Sequence, residues 1–125
     1  MPTILEQFCE LFAGGDQAYG EWDPKRGAKT IHGAPQIENY RKHLDGEVGL
    51  GLVPVGSTGL CRFAAIDVDV DTIDHTNLFG KVAQRRFPLA VCRSKSGGAH
   101  LYIFMRSPGL PANAIRDVLK RWATL

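Results

Sequence analysis

Aliphatic residues and aspartates alternate strictly along residues 66–71, and this alternation restricts the fold of the chain more than any other feature. The run reads Ile66-Asp-Val-Asp-Val-Asp71. Successive side chains of a β-strand point to opposite faces of its sheet. The run therefore predicts a strand with one apolar face, which packs on a core, and one face that carries carboxylates.

Carboxylates spaced in this way are suited to binding hard cations. Residues i and i+2 of a strand are about 6.5 Å apart along the backbone, and carboxylate oxygens are preferred ligands of Mg²⁺ and Mn²⁺. Three like charges on one face would also repel one another without a cation. We expect Asp67 and Asp69 to bind Mg²⁺ or Mn²⁺ in a two-metal site, with Asp71, where the strand is ending, as a further candidate ligand. The alternative is a solvent-facing strand end that happens to be acidic.

The segment Arg93-Ser-Lys-Ser-Gly-Gly-Ala-His100 has the opposite character. Ser96, Gly97 and Gly98 predict a tight loop between two short strands, and small residues allow backbone N–H groups to turn towards a phosphate. Arg93 and Lys95 add positive charge beside the loop. This pattern is typical of a phosphate-binding loop.

The strand after the loop also has two distinct faces. Positions 101, 103 and 105 are apolar, which places His100, Tyr102 and Phe104 on the other face. If helices cover the apolar faces, His100 shares the open face of one sheet with Asp67 and Asp69. The alternative is that His100 is an ordinary surface or core residue.

The remaining patterns predict the order α, β, β, α, β, β, α. A helix over residues 4–12 ends at Gly14-Gly15, and residues 16–45 form mostly loop with a short helix near 36–43. Strands over 48–55 and 60–70 form a hairpin, a helix precedes Pro88, and strands over 89–93 and 99–106 precede a last helix. We expect one α+β domain over residues 1–125. Residues 1–45 form its helix and irregular N-terminal segment. Residues 46–125 form its core, a mixed or antiparallel sheet of RRM-like ββαββα arrangement with helices on one face and the site on the open face.

Charge and cysteine content narrow the class of protein. Residues 1–80 carry 6 Lys and Arg against 12 Asp and Glu, whereas residues 81–125 carry 9 against 1. This division is typical of proteins that hold a polyanion and cations together, as nucleic-acid enzymes do, although helix faces can be basic without such a role. Three widely spaced cysteines in apolar surroundings predict reduced core thiols rather than a zinc site. With no apolar run of membrane-spanning length, we expect a cytoplasmic protein without a membrane partner.

The two motifs together resemble the archaeo-eukaryotic primase superfamily, and most closely its primase-polymerases of bacterial conflict systems and mobile elements. The similarity also covers Leu11-Phe-Ala-Gly-Gly-Asp-Gln-Ala-Tyr-Gly-Glu-Trp22, His43-Leu-Asp-Gly46 and Val48-Gly-Leu-Gly-Leu-Val-Pro-Val55, and these segments occur in the expected order. The ordered set covers most of the chain and is more specific than any one of its segments.

The resemblance implies a function and a role for each motif. Asp67 and Asp69 would bind two catalytic metals, while His100, Ser96 and the glycines would hold the triphosphate of an incoming nucleotide, assisted by Arg93 and Lys95. The implied activity is that of a DNA primase or DNA polymerase domain, which transfers nucleotides from nucleoside triphosphates under the direction of a template. Single-stranded or primer-template nucleic acid would be its partner.

The chain departs from the family pattern at two points. Its loop, Ser-Gly-Gly-Ala-His, is one residue shorter than the commoner Ser-Gly-x-Gly-x-His. The family's third carboxylate follows the helix after the histidine strand, and here the chain ends within that helix. We therefore expect the N-terminal part of a longer primase-polymerase, with a helicase or another domain beyond it, or a natural short relative. Metal and nucleotide binding should survive better than catalysis.

Two other functions remain open. The chain could be a catalytically silent module that binds nucleotide or single-stranded nucleic acid. Tyr102 and Phe104 would then stack on bases, and Arg106 would add a further nucleic-acid contact. A metal-dependent nuclease or a sugar-nucleotide transferase would explain the aspartates but would leave the His100 loop without a role.

Overall fold

The computed structural model describes residues 1–70 and 72–124. Within these residues the helices are α1 (Ile4–Leu11), α2 (Ile37–Leu44), α3 (His75–Gln84) and α4 (Ala112–Trp122). The strands are β1 (Ala18–Asp23), β2 (Gly27–His32), β3 (Gly49–Gly51), β4 (Leu60–Cys61), β5 (Phe63–Val68), β6 (Ala90–Arg93), β7 (Ala99–Phe104) and β8 (Leu110–Pro111). The strands form three small antiparallel sheets, which confirms the predicted α+β class.

The sheet that carries both motifs has the strand order β5-β7-β6. Its apolar face packs against α3 and α4, where Val82, Ile115 and Leu119 meet Leu101 and Ile103 in the core. Both motif strands alternate as their sequences predict, and β7 is buried at every second residue. The helices α3 and α4 therefore cover one face of this sheet, and Asp67 lies on the other. β5 ends at Val68, before the end of the predicted strand over 60–70, so Asp69 follows the strand.

The predicted hairpin between 48–55 and 60–70 is wrong, because the strand in the first of these segments does not pair with the second. β3 is only three residues long and pairs with β1, where Gly49 lies opposite Trp22 and Gly51 opposite Gly20. A single bridge between Val55 and Cys61 is what connects the two predicted strands. Gly49 and Gly51 contribute no side chains that would favour pairing with β5, and Pro54 cannot donate a backbone hydrogen bond.

The prediction of mostly loop over residues 16–45 is also wrong, because β1 and β2 form an antiparallel hairpin there. Asp23 and Gly27 face each other at its turn, and Gly27 has a φ of +77°. Exposed alanine, lysine and threonine in β2 give no apolar alternation, so the strand has little signal in the sequence. The short helix predicted near residues 36–43 is confirmed as α2.

Phe12, the residue that follows helix α1, packs on the second face of the β5-β7-β6 sheet. The Phe12 ring packs edge-on against Phe63, Tyr102 and Phe104, each with a centroid distance of 5.2 Å. The Tyr40 hydroxyl of α2 donates a hydrogen bond to the Phe12 carbonyl oxygen at 2.9 Å. The expected open face is therefore divided into an aromatic region under Phe12 and a polar region at the aspartates.

The three cysteines are free, but they do not share one environment. Cys61 is buried and Cys9 half-buried, and burial raises the pKa of both thiols. Cys92 is exposed, so the prediction of a core thiol is wrong there, because its position opposite His100 places it on the face of β6 away from the helices. None of the described helices is both long and apolar enough to cross a bilayer.

Candidate functional site

The loop between β6 and β7 is closed by its own backbone and pressed against β5. The Ser94 amide donates to the Gly98 carbonyl oxygen at 3.0 Å, and the Gly97 amide donates to the Ser94 carbonyl oxygen at 3.2 Å. Gly97 has a φ of +91°, a conformation that favours glycine. A Cβ at Gly98 would overlap the Val68 carbonyl oxygen. The glycine therefore lets the loop lie directly on the strand that carries Asp67.

A second contact fixes the loop to the start of α3. His75 donates a hydrogen bond from Nε2 to the Gly98 carbonyl oxygen at 2.8 Å. The helix end that carries His75 is itself capped, since the Asn77 amide donates to Asp74 Oδ1 at 3.0 Å. The loop is thus held by β5 on one side and by α3 on another.

Strand register brings Asp67 and His100 together. The two residues are direct partners in the β5–β7 pairing, and His100 Nε2 lies 3.6 Å from Asp67 Oδ1. On the other side of the ring, His100 Nδ1 lies 3.5 Å from the Tyr102 hydroxyl. Burial raises the pKa of Tyr102, and the neighbouring Cys92 and Asp67 raise it further. The imidazole is therefore placed between a carboxylate and a neutral phenol.

The two motifs line one cavity of about 480 Å³. Its lining residues are Asp67, Asp69, Ser94, Lys95, Ser96 and His100. Two carboxylates thus share a cavity with two hydroxyls, an ammonium group and an imidazole. Ser94 Oγ and Ser96 Oγ lie 3.4 Å apart. Such a cavity can bind a cation and a polyanion side by side.

Several residues predicted for the site lie outside this lining. Arg93 pairs with Ala99, which places it on the same side of the sheet as the core-facing residues. Gly97 and Gly98 shape the loop through their backbone. Arg106 follows the far end of β7, about 20 Å along the strand direction from His100 at about 3.4 Å per residue. It lines a different cavity, beside Glu10 and Arg62.

The two aromatic candidates are not among the residues that line the cavity of Asp67 and His100. Tyr102 and Phe104 pack under Phe12, so their rings serve the protein's own packing, and the Tyr102 hydroxyl is the group that meets His100. The candidate ligand Asp71 lies outside the described residues.

The two carboxylates could hold a hard divalent cation whose coordination is completed by a substrate. Asp67 and Asp69 both line the cavity. Over residues 1–70 and 72–124, no group of three or more His, Cys, Asp or Glu side chains is arranged to hold a metal ion. Mg²⁺ in nucleotide sites is commonly bound by one or two carboxylates together with substrate phosphates and water. Two carboxylates beside a loop with hydroxyl and ammonium groups match that pattern better than a closed structural site.

Three neighbours of the site were not found by sequence reasoning. Ser94 lines the cavity although it was not among the predicted site residues, and its position two residues before Ser96 is the signal that could have found it. His75 gave no signal, because its partner is a backbone carbonyl 23 residues away. Trp22 lies in the segment that was expected to be loop, yet Lys95 Nζ is 4.4 Å from the centroid of its ring. The β1–β2 hairpin therefore borders the site.

Comparison with known protein families gives a match that covers most of the chain. The family described as "TOTE conflict system, Archaeo-Eukaryotic Primase domain" matches residues 25–124. The chain belongs to this family. The archaeo-eukaryotic primase resemblance, drawn from the aspartate and histidine motifs, is confirmed, and membership supports primase-type nucleotidyl transfer at the level of the family. A comparison with curated proteins gave no match.

Proposed function

We propose that this archaeo-eukaryotic primase domain binds a nucleoside triphosphate together with Mg²⁺ or Mn²⁺ and uses it for template-directed nucleotidyl transfer. One observation carries the proposal: Asp67 and Asp69 share a cavity with the serines, the lysine and the histidine of the loop. A metal–triphosphate complex has both charges that this cavity complements.

Asp67 and Asp69 would hold the divalent cations. The chemistry that bound cations would supply is a lower pKa for the attacking 3′-hydroxyl and stabilisation of the leaving pyrophosphate. Asp67 is held in place by backbone structure, since β5 pairs with β7 from Phe63 to Val68, and Asp69 follows directly after that strand. A fixed strand is a better support for a metal site than a mobile loop.

The loop would hold the triphosphate. Ser94 and Ser96 offer hydroxyl donors, and Lys95 supplies a mobile positive charge. His100 would donate from Nε2 to a phosphate oxygen, and that nitrogen lies 3.6 Å from Asp67 Oδ1. Arg93 lies outside the cavity lining, so we assign it no direct contact. The family resemblance and the shared cavity support these roles jointly.

A primer-synthesis and primer-extension assay tests the activity. The protein is given a single-stranded or primed DNA template, nucleoside triphosphates and Mn²⁺. We expect products that disappear with Asp67→Asn and persist with Asp117→Asn, which changes an exposed residue of α4. Absence of products from the wild-type protein would contradict catalysis.

A second candidate is a catalytically silent module that binds nucleotide or single-stranded nucleic acid. One specific observation favours it: the described residues bring only two carboxylates into the cavity. A two-metal active site normally has further ligands. This candidate predicts metal-dependent nucleotide binding without products in the same assay.

A further inference from the structure

Trp22 and Lys95 form a contact that the proposed function does not use. Lys95 lines the cavity with the aspartates and His100, yet its ammonium group lies over the indole of Trp22, 4.4 Å from the ring centroid. Trp22 belongs to a different sheet, so this contact joins the β1–β2 hairpin to the phosphate-binding loop.

The indole is open to solvent although it lies on a paired strand. Trp22 is 44% exposed. Its cross-strand partners on β2 and β3 are Ala28 and Gly49, neither of which can cover the ring. Gly49 has little room to be larger, because a Cβ there would lie 3.2 Å from Trp22 Cβ. The neighbours therefore leave an aromatic surface uncovered beside the site.

There is also room beside the indole for a planar group. A cavity of about 510 Å³ lies along β1, β2 and β3, and Trp22 is one of its lining residues. Five of its nine lining residues are glycine, alanine or threonine, and the lining also includes Glu21 and Lys29. The indole thus lines this cavity and contacts Lys95, which lines the cavity of Asp67 and His100.

Resting on the proposed function, we propose that Trp22 stacks on the base of the nucleotide whose triphosphate lies at the loop. In the free protein the Lys95 ammonium group lies over the indole ring of Trp22, and it moves to the triphosphate when the nucleotide binds. The exchange is favourable, because a cation–π contact at an exposed site is weaker than a charge-assisted hydrogen bond to phosphate. The vacated indole then receives the base, and every base has a π-face to offer, so Trp22 positions nucleotides without selecting among them.

The first test uses Trp22 as its own reporter. The chain has two tryptophans, and Trp122 stacks on Phe87 at a centroid distance of 4.7 Å, so Trp122→Phe preserves a ring there and leaves Trp22 as the only indole. Emission and acrylamide quenching are measured with Mn²⁺ and either dATP or inorganic tripolyphosphate. We expect dATP to lower the acrylamide quenching constant about twofold, because the base shields the indole. Tripolyphosphate, which has no base, should leave it unchanged or raise it.

The second test measures affinity by calorimetry. Trp22→Ala should weaken dATP binding about tenfold, within the range for loss of one base–aromatic stack, and should change tripolyphosphate binding less than twofold. Trp22→Phe, the matched control, should stay within about twofold for both ligands. Lys95→Gln should weaken both ligands alike. If Trp22→Ala is poorly folded, the fluorescence of Trp22 decides the question.

The outcomes separate this inference from the function on which it rests. If dATP binds but neither shields Trp22 nor depends on it, the stacking role is wrong and the nucleotide site stands. If neither dATP nor tripolyphosphate binds with Mn²⁺, the proposed function fails, and this inference fails with it.

Discussion

Gly98 lies directly on the backbone of Val68, so closely that a side chain at Gly98 would overlap the Val68 carbonyl oxygen. Val68 is the residue between Asp67 and Asp69. The loop between β6 and β7 and the strand β5 are therefore held together by backbone packing. The close approach of the loop to β5 depends on glycine at position 98, because a Cβ there would overlap the Val68 carbonyl oxygen.

Gly98→Ala should destabilise the protein and weaken nucleotide binding together. The added methyl group must push the loop away from β5, and overpacking of this kind costs about 1–3 kcal/mol. Chemical denaturation measures the stability, and calorimetry with dATP and Mn²⁺ measures the affinity. The matched control is Gly80→Ala in α3, where a Cβ meets nothing within 4 Å. It should stabilise the helix by about 0.5–1 kcal/mol. Equal effects of the two substitutions would contradict the role of Gly98.

His75→Ala should loosen the loop without touching a ligand. It removes the hydrogen bond from Nε2 to the Gly98 carbonyl oxygen, and one such bond contributes about 0.5–1.5 kcal/mol net. We expect that loss of stability and a several-fold weaker affinity for dATP. His32→Ala, at an exposed position of β2, serves as the control and should change neither quantity. An unchanged dATP affinity in His75→Ala would mean that the β5 contact alone positions the loop.

Phe12→Ala should be among the most costly single changes outside the main core. The ring contacts Phe63, Tyr102 and Phe104, and large-to-small changes of buried aromatic residues cost about 3–5 kcal/mol. Because Phe12 is only half-buried, we expect about 2–3 kcal/mol by denaturation. Phe79→Ala, at a ring that is 58% exposed on α3, should cost less than about 0.5 kcal/mol. A cost for Phe12→Ala near that of Phe79→Ala would show that α1 does not stabilise the sheet.

Part of the candidate site could be predicted because Asp67 and His100 lie on strands whose faces alternate. The period of two assigns Asp67 and His100 to one face, and the β5–β7 register then makes them direct partners. Asp74 precedes the apolar helical pattern of α3 and caps that helix, which is a typical sequence signal of a helix start. The buried positions of α4, such as Ile115 and Leu119, follow from helical spacing in the same way.

The N-terminal part could not be predicted, because its structure depends on contacts between distant segments. β3 pairs with β1 through glycines, which have no side chains to create a pattern. For the same reason the contact between Trp22 and Lys95 joins residues far apart in the sequence, and no local period reports it. The packing of Phe12 on Tyr102 was not predicted, because the helical spacing of apolar residues in α1 indicates a buried face but not the surface that this face contacts.

In the proposed function, Asp67 and Asp69 hold the cation that brings a nucleoside triphosphate to the loop. Calorimetric titration of dATP into the protein, with Mn²⁺ and again with a chelator, tests this role. We expect dATP to bind in the presence of Mn²⁺ and the chelator to abolish this binding. Asp67→Asn and Asp69→Asn should each weaken the dATP affinity at least tenfold, and Asp117→Asn should leave it unchanged. Binding of equal strength with the chelator, or in Asp67→Asn and Asp69→Asn, would contradict this role.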